Sequence, residues 1–166
     1  MESATKPEMI DDILNQAQSL FAPDHRTTVF DVHASETSDG VVLQGCVHNN
    51  DIRDRLVAFV GEKTGRSIIE NLQTVPDASV GECAWGVPRL SVTNIHRAPS
   101  HASELATQVL LGTPVRILRK KDEWCLVQLP DGYIGWIDDT LVRMDSRAIA
   151  DWCSAAKVIV TASTDW

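Results

Sequence analysis

The first half of the chain alternates between helical and strand-like patterns of apolar residues. Apolar residues recur every three or four positions over residues 8–21, which predicts an amphipathic helix. A second stripe, over residues 52–60, predicts another helix that begins near Asn49 and ends at Gly65. The other segments are strand-like, and Asp39–Gly40 is the expected tip of a hairpin. The predicted strands are 27–34, 41–47 and 67–75.

The pattern changes after a loop of small and acidic residues at 77–86. Short apolar segments separated by turns follow, which is typical of a small all-β barrel. Trp124, Val127 and Ile134 are expected in its core, and Gly135 is expected to let the backbone bend sharply. The predicted barrel strands are 90–95, 107–111, 115–118, 124–129 and 133–137.

The C-terminal residues fit a short helix at 147–156 and a strand at 157–161. Together the patterns predict an α+β fold class, with a small α+β unit followed by an all-β barrel. We expect three parts along the chain: an α+β unit at 1–80, a barrel at 81–145, and a segment at 146–166 that leads toward a second, absent domain.

The net charge of −8 argues against a nucleic-acid partner, because phosphates are bound by clustered Lys and Arg. The chain lacks a run of about 18 apolar residues, so we expect no membrane span. The N-terminus lacks a basic-then-apolar order, so we expect a signal peptide to have been removed or never present.

The cysteines and histidines form no recognised catalytic or metal motif. The four cysteines lie far apart without a C-x-x-C pair, so we expect isolated buried thiols, no metal and no cofactor. His96 and His101 flank Pro99 in a loop that would line a barrel groove, where a ligand contact is an open alternative. A hydrolase that uses Cys125 or Cys153 with a histidine is a further alternative.

Three strings stand out within the predicted barrel: V-T-N-I-H-R-A-P-S at 92–100, E-L-A-T-Q-V-L-L-G-T-P-V at 104–115 and W-C-L-V-Q-L-P-D-G-Y-I-G-W-I at 124–137. In this order they resemble the bacterial Src-homology-three family. The T-Q-V-L-L-G and P-D-G-Y-I-G-W parts are similar to the first such domain of NlpC-family murein peptidases, which are γ-D-glutamyl-diamino acid endopeptidases. There the barrel abuts the catalytic domain and restricts the substrate cleft to peptides with a free N-terminal L-alanine.

This resemblance implies two substrate-binding residues, Tyr133 and Glu104. Trp136, in the core or on the rim of the predicted barrel, is a third candidate. Tyr133 would present its hydroxyl to the bound peptide, and Glu104 would pair with its terminal ammonium. The family's catalytic cysteine stands in a D-C-S-G-like setting with a histidine well downstream, and this sequence has neither. We therefore expect no enzyme in this chain, which would be an N-terminal fragment or a family member that lost its catalytic domain.

Residues 29–75 resemble the small bacterial BON domain, with a V-x-L-x-G-x-V string at 41–47. That resemblance implies interaction with phospholipid or the cell envelope. The segment carries no basic or aromatic surface of the kind such binding needs, so a structural spacer is favoured. Gly45 in this string is expected to relieve crowding within its strand.

Two functions follow as hypotheses. The first is a non-catalytic recognition and scaffolding module that binds a peptidoglycan peptide with a free N-terminal L-alanine, beside a catalytic peptidase domain in cis or in trans. The second is a stand-alone cell-wall or protein-interaction module with no linked enzyme. The expected location is the cell envelope or periplasm, with cytoplasmic murein-peptide recycling as the alternative.

Overall fold

The computed structural model describes residues 10–138 and 140–158, and it confirms the α+β fold class. Within these residues the chain forms a three-stranded sheet covered by two helices, then a seven-stranded sheet followed by a third helix. We call residues 10–75 the N-terminal unit and residues 85–144 the barrel.

The N-terminal unit has the predicted order of elements. The sheet order is β1-β2-β3, with β1 antiparallel and β3 parallel to β2. Asn49 caps α2 by accepting a hydrogen bond from the Ile52 N–H at 2.9 Å, and Gly65 ends it with φ 62°. The elements are α1 Ile10–Phe21, β1 Phe30–Thr37, β2 Gly40–Val47, α2 Asn50–Thr64 and β3 Ile68–Thr74.

Helices α1 and α2 bury one side of the sheet. Ile13, Leu43 and Leu56 lie in the centre of that cluster. Leu20 belongs to the apolar stripe of the sequence, but the expectation of burial is wrong for it, because its side chain is 60% exposed. The neighbouring Phe21 closes the helix–helix contact instead, packing edge-on against Phe59 with ring centroids 5.6 Å apart.

A loop rather than a strand occupies residues 23–28, so β1 begins three residues later than predicted. The Asp24 carbonyl accepts hydrogen bonds from the N–H groups of Thr27 and Thr28, which closes a turn. Gly45 in β2 has φ 131°, and a Cβ there would collide with the Asp31 carbonyl of β1. The expectation that this glycine relieves crowding is confirmed.

The barrel strands lie in the order β10-β4-β7-β8-β9-β5-β6. Its core cluster contains Ile95, Ile117, Val127 and Ile137, all fully buried. Two strands were missed by the sequence patterns, because each has four residues and no clear alternation: these are β4 and β10, which pair with each other. The bounds are β4 Trp85–Pro88, β5 Val92–His96, β6 Leu105–Leu110, β7 Val115–Lys121, β8 Trp124–Gln128, β9 Ile134–Ile137 and β10 Leu141–Met144.

Helix α3, Ser146–Ser154, follows the barrel directly. Asp145 caps it, and the Trp152 indole N–H donates to the Gly112 carbonyl at 3.0 Å, which fixes the helix against the β6–β7 turn. Of the strand predicted at 157–161, residues 157 and 158 are not in a strand, and the rest lies outside the described residues.

A second apolar cluster joins the N-terminal unit to the outer face of the barrel. Val29 and Cys46 from the N-terminal unit pack there against Leu118, Leu126 and Ile134 of the barrel. The placement of Ile134 in the barrel core is therefore wrong, and so is that of Trp124, which is half-buried and outside that core, whereas Val127 does lie in it. Because strand residues alternate between faces, Ile134 and Trp136 both point outward, toward the N-terminal unit.

Candidate functional site

The β8–β9 hairpin carries two of the three residues singled out by the sequence. The turn is closed by the Gly132 N–H, which donates to the Leu129 carbonyl at 2.9 Å, and by the Tyr133 N–H, which donates to Asp131 Oδ1 at 3.0 Å. Gly132 has φ 90°, as a tight turn requires. The turn predicted at Asp131–Gly132 is confirmed, although the positive φ belongs to the glycine alone.

Trp136 lines a cavity of about 220 Å³ between the barrel and the N-terminal unit, which we call the interunit cleft. The Trp136 side chain is half-buried and packs on the second apolar cluster. Arg97 contributes to the cleft from the barrel, and His25, Phe30 and Asp31 contribute from the N-terminal unit. The N-terminal unit therefore supplies a wall of this cleft.

Tyr133 lies beside the cleft rather than in its lining. The guanidinium of Arg26 sits over the Tyr133 ring, with its carbon 5.7 Å from the ring centroid. The Arg26 carbonyl also accepts a hydrogen bond from the Ile134 N–H at 2.6 Å. The loop before β1 thus covers one face of the tyrosine.

Glu104 is exposed and immediately precedes β6. Its carbonyl accepts a hydrogen bond from the Arg97 N–H at 2.9 Å, which places the two residues opposite each other at the end of the β5–β6 pair. Strand β5 separates β6 from β9, so the Glu104 backbone is about 10 Å from that of Trp136. The three predicted residues are therefore not gathered in one pocket, since Trp136 alone of them lines the cleft.

Arg119, which the sequence analysis did not single out, holds the two units together next to the cleft. Its guanidinium pairs with Asp31 of β1 at 3.1 Å and with Asp77 of the connecting segment at 3.2 Å. Although burial disfavours its charged form, hydrogen bonds to the Cys46 thiol and to Asp31 raise the pKa of Arg119 overall. The sequence around a single arginine in a strand does not indicate which distant carboxylates it pairs with, so this role could not be predicted.

Comparison with known families identifies the part of the chain that carries this hairpin. Residues 95–140 match the family model of the bacterial dipeptidyl-peptidase Sh3 domain. The matched segment contains Arg97, Glu104, Tyr133 and Trp136, and it covers less than a third of the chain. No curated protein matches the chain. The chain thus contains an SH3 domain of a type named after a bacterial peptidase family.

The loop that precedes β6 in the SH3 domain is held by a cluster of three rings. His96 and His101 both pack on Trp124, with ring centroids 5.6 and 4.9 Å from it. His96 Nδ1 lies 3.1 Å from the Ser103 carbonyl, which can only accept, so this nitrogen carries a proton. Both histidines also line a second cavity of about 180 Å³ on the SH3 domain.

The four cysteines are free thiols in different environments. Cys46 and Cys125 are buried, and burial raises the pKa of the Cys46 thiol. Cys83 is half-buried and Cys153 is exposed, so the expectation of buried thiols is wrong for Cys153. Within residues 10–138 and 140–158, no group of His, Cys, Asp or Glu side chains is arranged to hold a metal ion, and no helix is long and apolar enough to cross a membrane.

The ion pair between Asp24 and Arg26 in the loop before β1 predicts an unusual titration of Asp24. Both carboxylate oxygens of Asp24 accept hydrogen bonds from the Arg26 guanidinium at 2.9 Å, and these bonds lower the pKa of Asp24 from 3.8 to about 2. Because the folded-state pKa is depressed, this contribution to stability is fully present above about pH 4 and is lost as the pH falls through about 2.

Carboxyl-carbon NMR across an acid titration checks this prediction. We expect the Asp24 midpoint near 2 in the native protein and a return toward 3.8 in Arg26→Gln. Exposed Asp39, which has no arginine partner among the described residues, serves as the reference carboxylate in the same spectra. A midpoint near 3.8 for native Asp24 would show that the Arg26 contact does not persist in solution.

Proposed function

We propose that the chain is a non-catalytic recognition module that binds murein peptides with a free N-terminal L-alanine and works beside a catalytic peptidase domain, in cis or in trans. The observation that carries this proposal is the position of Trp136, which the matched SH3 segment presents in an open cleft. A half-buried aromatic ring flanked by charged side chains suits a peptide that carries charges of both signs.

The charges on this side of the SH3 domain support the proposal. Glu104 offers an exposed carboxylate to an ammonium group, and the Tyr133 ring lies under the Arg26 guanidinium beside the cleft. The cell envelope is the proposed location, and cytoplasmic murein-peptide recycling is the alternative. The BON-like N-terminal unit serves in this proposal as a rigid spacer that also forms a wall of the cleft.

Calorimetric titration of the whole chain with L-alanyl-γ-D-glutamyl-diaminopimelate tests the proposal. We expect saturable binding that weakens when the peptide's amino group is acetylated. Glu104→Gln is expected to weaken binding of the free peptide up to about fivefold, as for an exposed ion pair, and to leave the acetylated peptide unchanged.

The matched control is Glu62→Gln, which removes an exposed carboxylate from α2, outside the SH3 domain. It should leave both affinities as in the native protein. Absence of binding heat for the free peptide at millimolar concentration contradicts the proposed function. If the native chain and Glu104→Gln bind the free peptide with equal affinity, only the role of Glu104 is refuted, and the proposed function stands.

Exposed apolar side chains on and next to β5 and β6 favour a second candidate function, a stand-alone module that binds protein or intact cell wall. Val92 and Leu110 face each other on β5 and β6, and Leu90 and Leu111 lie just beyond the ends of these strands; all four are about half exposed or more. Strand β6 is also an edge of the sheet, where an extended segment can add a strand. Retention of the chain on whole sacculi, without affinity for free peptide, would favour this function.

A further inference from the structure

The second cavity of the SH3 domain, of about 180 Å³, is lined by residues whose polar side-chain atoms the fold leaves unsatisfied. In the described part of the chain, four side-chain polar atoms are shielded from solvent and have no hydrogen-bond partner. Three of them are the hydroxyls of Thr93 and Thr140 and one carboxylate oxygen of Asp138, and all three residues line this cavity. Buried polar groups in folded proteins are almost always hydrogen-bonded, so three unsatisfied atoms at one cavity indicate a missing partner.

This cavity, which we call the Thr93 cavity, lies where two segments of the barrel are not joined by backbone pairing. Within the described ranges, β5 pairs with β9 only through His96 and Trp136. A second backbone link is the Arg89 N–H, which donates to the Thr140 carbonyl at 2.9 Å. Residues 92–94 and most of the other lining residues lie between these two links along the chain.

The lining of the Thr93 cavity favours a cation that donates hydrogen bonds. The Asp138 carboxylate can only accept hydrogen bonds, and the two threonine hydroxyls can accept them as well. The His96 ring already donates through Nδ1 to the Ser103 carbonyl, so its other nitrogen accepts in the neutral ring. The lining contains one carboxylate and neither lysine nor arginine. Such a set of acceptors fits an ammonium group, which has three donors and no acceptor.

The size of the cavity and its apolar residues restrict what carries this ammonium. The volume is below that of a drug-sized site, so the cavity suits one side chain rather than a whole ligand. Leu90 and Val92 also line it, are about half exposed, and offer apolar surface to a chain of methylene groups. A lysine side chain combines such a stem with an ammonium group, and the net charge of −8 favours a basic partner.

We infer that the Thr93 cavity binds the ammonium group of a lysine side chain on a partner protein. Asp138 supplies the opposite charge, and the hydroxyls of Thr93 and Thr140 accept the remaining hydrogen bonds. The cavity shares no lining residue with the interunit cleft, so this inference does not depend on murein-peptide binding there. It adds a protein-binding site on another part of the SH3 domain.

Solution NMR of the whole chain tests the inference with two probes that differ only in the ammonium group. They are Nα-acetyl-L-lysine amide and Nα-acetyl-L-norleucine amide, titrated at a single pH because His96 and His101 line the cavity. We expect the lysine probe to shift the backbone amides of Thr93 and Thr140 saturably, with a dissociation constant of about 1–10 mM, as for one charge-assisted group. The norleucine probe should leave these amides unshifted.

Two variants and a matched control locate the binding site. Asp138→Asn should weaken binding of the lysine probe about tenfold, because the charge-assisted hydrogen bond is lost. Thr93→Val should weaken binding about threefold, and it should not lower the free energy of unfolding, because the hydroxyl that it removes has no partner. The control is Asp39→Asn, an exposed carboxylate on the β1–β2 turn, which should bind as the native chain does. Circular dichroism establishes that each variant keeps its fold.

Equal shifts from the two probes overturn the inference, since the ammonium group then contributes nothing. It is also overturned if ammonium chloride at the same concentration reproduces the shifts, which indicates a site for small cations only. Unchanged binding of the lysine probe by Asp138→Asn contradicts it as well. If Asp138→Asn does not fold, unchanged binding by Thr93→Val has the same meaning. Absence of shifts at tens of millimolar lysine probe overturns the inference and leaves the murein-peptide proposal standing.

Discussion

Replacement of Arg119 by methionine is expected to lower the free energy of unfolding by about 2–3 kcal/mol. Arg119 is 22% exposed, and its partner Asp77 is only 10% exposed. Methionine keeps the apolar stem but leaves the Asp77 carboxylate partly buried without its cation. Removing one partner of a fully buried ion pair lowers the free energy of unfolding by more than this. The partial exposure of Arg119 reduces the expected loss of stability. Urea denaturation of the two proteins, followed by circular dichroism, measures the difference.

Arg53→Met is the matched control for this change. Arg53 pairs with its neighbour Asp54 on α2, and the Asp54 side chain is 67% exposed. Such a surface ion pair contributes little to stability, so we expect the free energy of unfolding to change by no more than about 0.5 kcal/mol. If Arg119→Met unfolds at the same urea concentration as Arg53→Met, the described contact between the two units does not contribute to stability in solution.

Gly135→Ala is expected to destabilise the chain by about 3 kcal/mol or more, for a purely steric reason. A Cβ at this position would overlap Ile95 Cγ2 and lie 3.0 Å from the His96 carbonyl oxygen. Ile95 lies fully buried in the barrel core, and His96 pairs with Trp136 across the sheet. Strand β9 would have to move away from β5, which shifts Trp136 within the cleft. Thermal and urea denaturation both measure this effect.

Gly61→Ala provides the contrast, because Gly61 lies within helix α2 and a Cβ there meets only Ile68 Cγ1, at 3.6 Å. Alanine has the higher helix propensity, so we expect stabilisation of about 0.5–1 kcal/mol. The two glycine variants should therefore change stability in opposite directions. Destabilisation by less than about 1 kcal/mol in Gly135→Ala would show that β5 and β9 are not packed as closely as described.

The fold was largely predictable where local chemistry decides it. The capping of α2 by Asn49, its termination at Gly65 and the turn at Gly132 each depend on one residue's own conformational preferences. Strands β4 and β10 were not predictable, because their pairing joins residues more than fifty positions apart through four-residue segments. Whether Leu20 or Phe21 packs against α2 likewise depends on the position of Phe59, and helical periodicity does not identify this partner.

The candidate site was predictable in part. The strings around Tyr133 and Trp136 lie within the segment that matches the SH3 family, so motif similarity located the hairpin. The cleft beside Trp136 was not foreseen, because five of its eleven lining residues belong to the loop and first strand of the N-terminal unit. The substrate roles of Tyr133, Glu104 and Trp136 stay predictions.

Solution NMR of the whole chain during titration with L-alanyl-γ-D-glutamyl-diaminopimelate tests the central claim most directly. The chain has five tryptophans, and the indole N–H of Trp136 can be assigned with a Trp136→Phe variant. We predict that this signal and the backbone amides around Arg97 and Glu104 shift together and saturate at one peptide per chain. Signals from residues 95–140 that stay unchanged at millimolar peptide would contradict the claim that this SH3 domain is a murein-peptide recognition module.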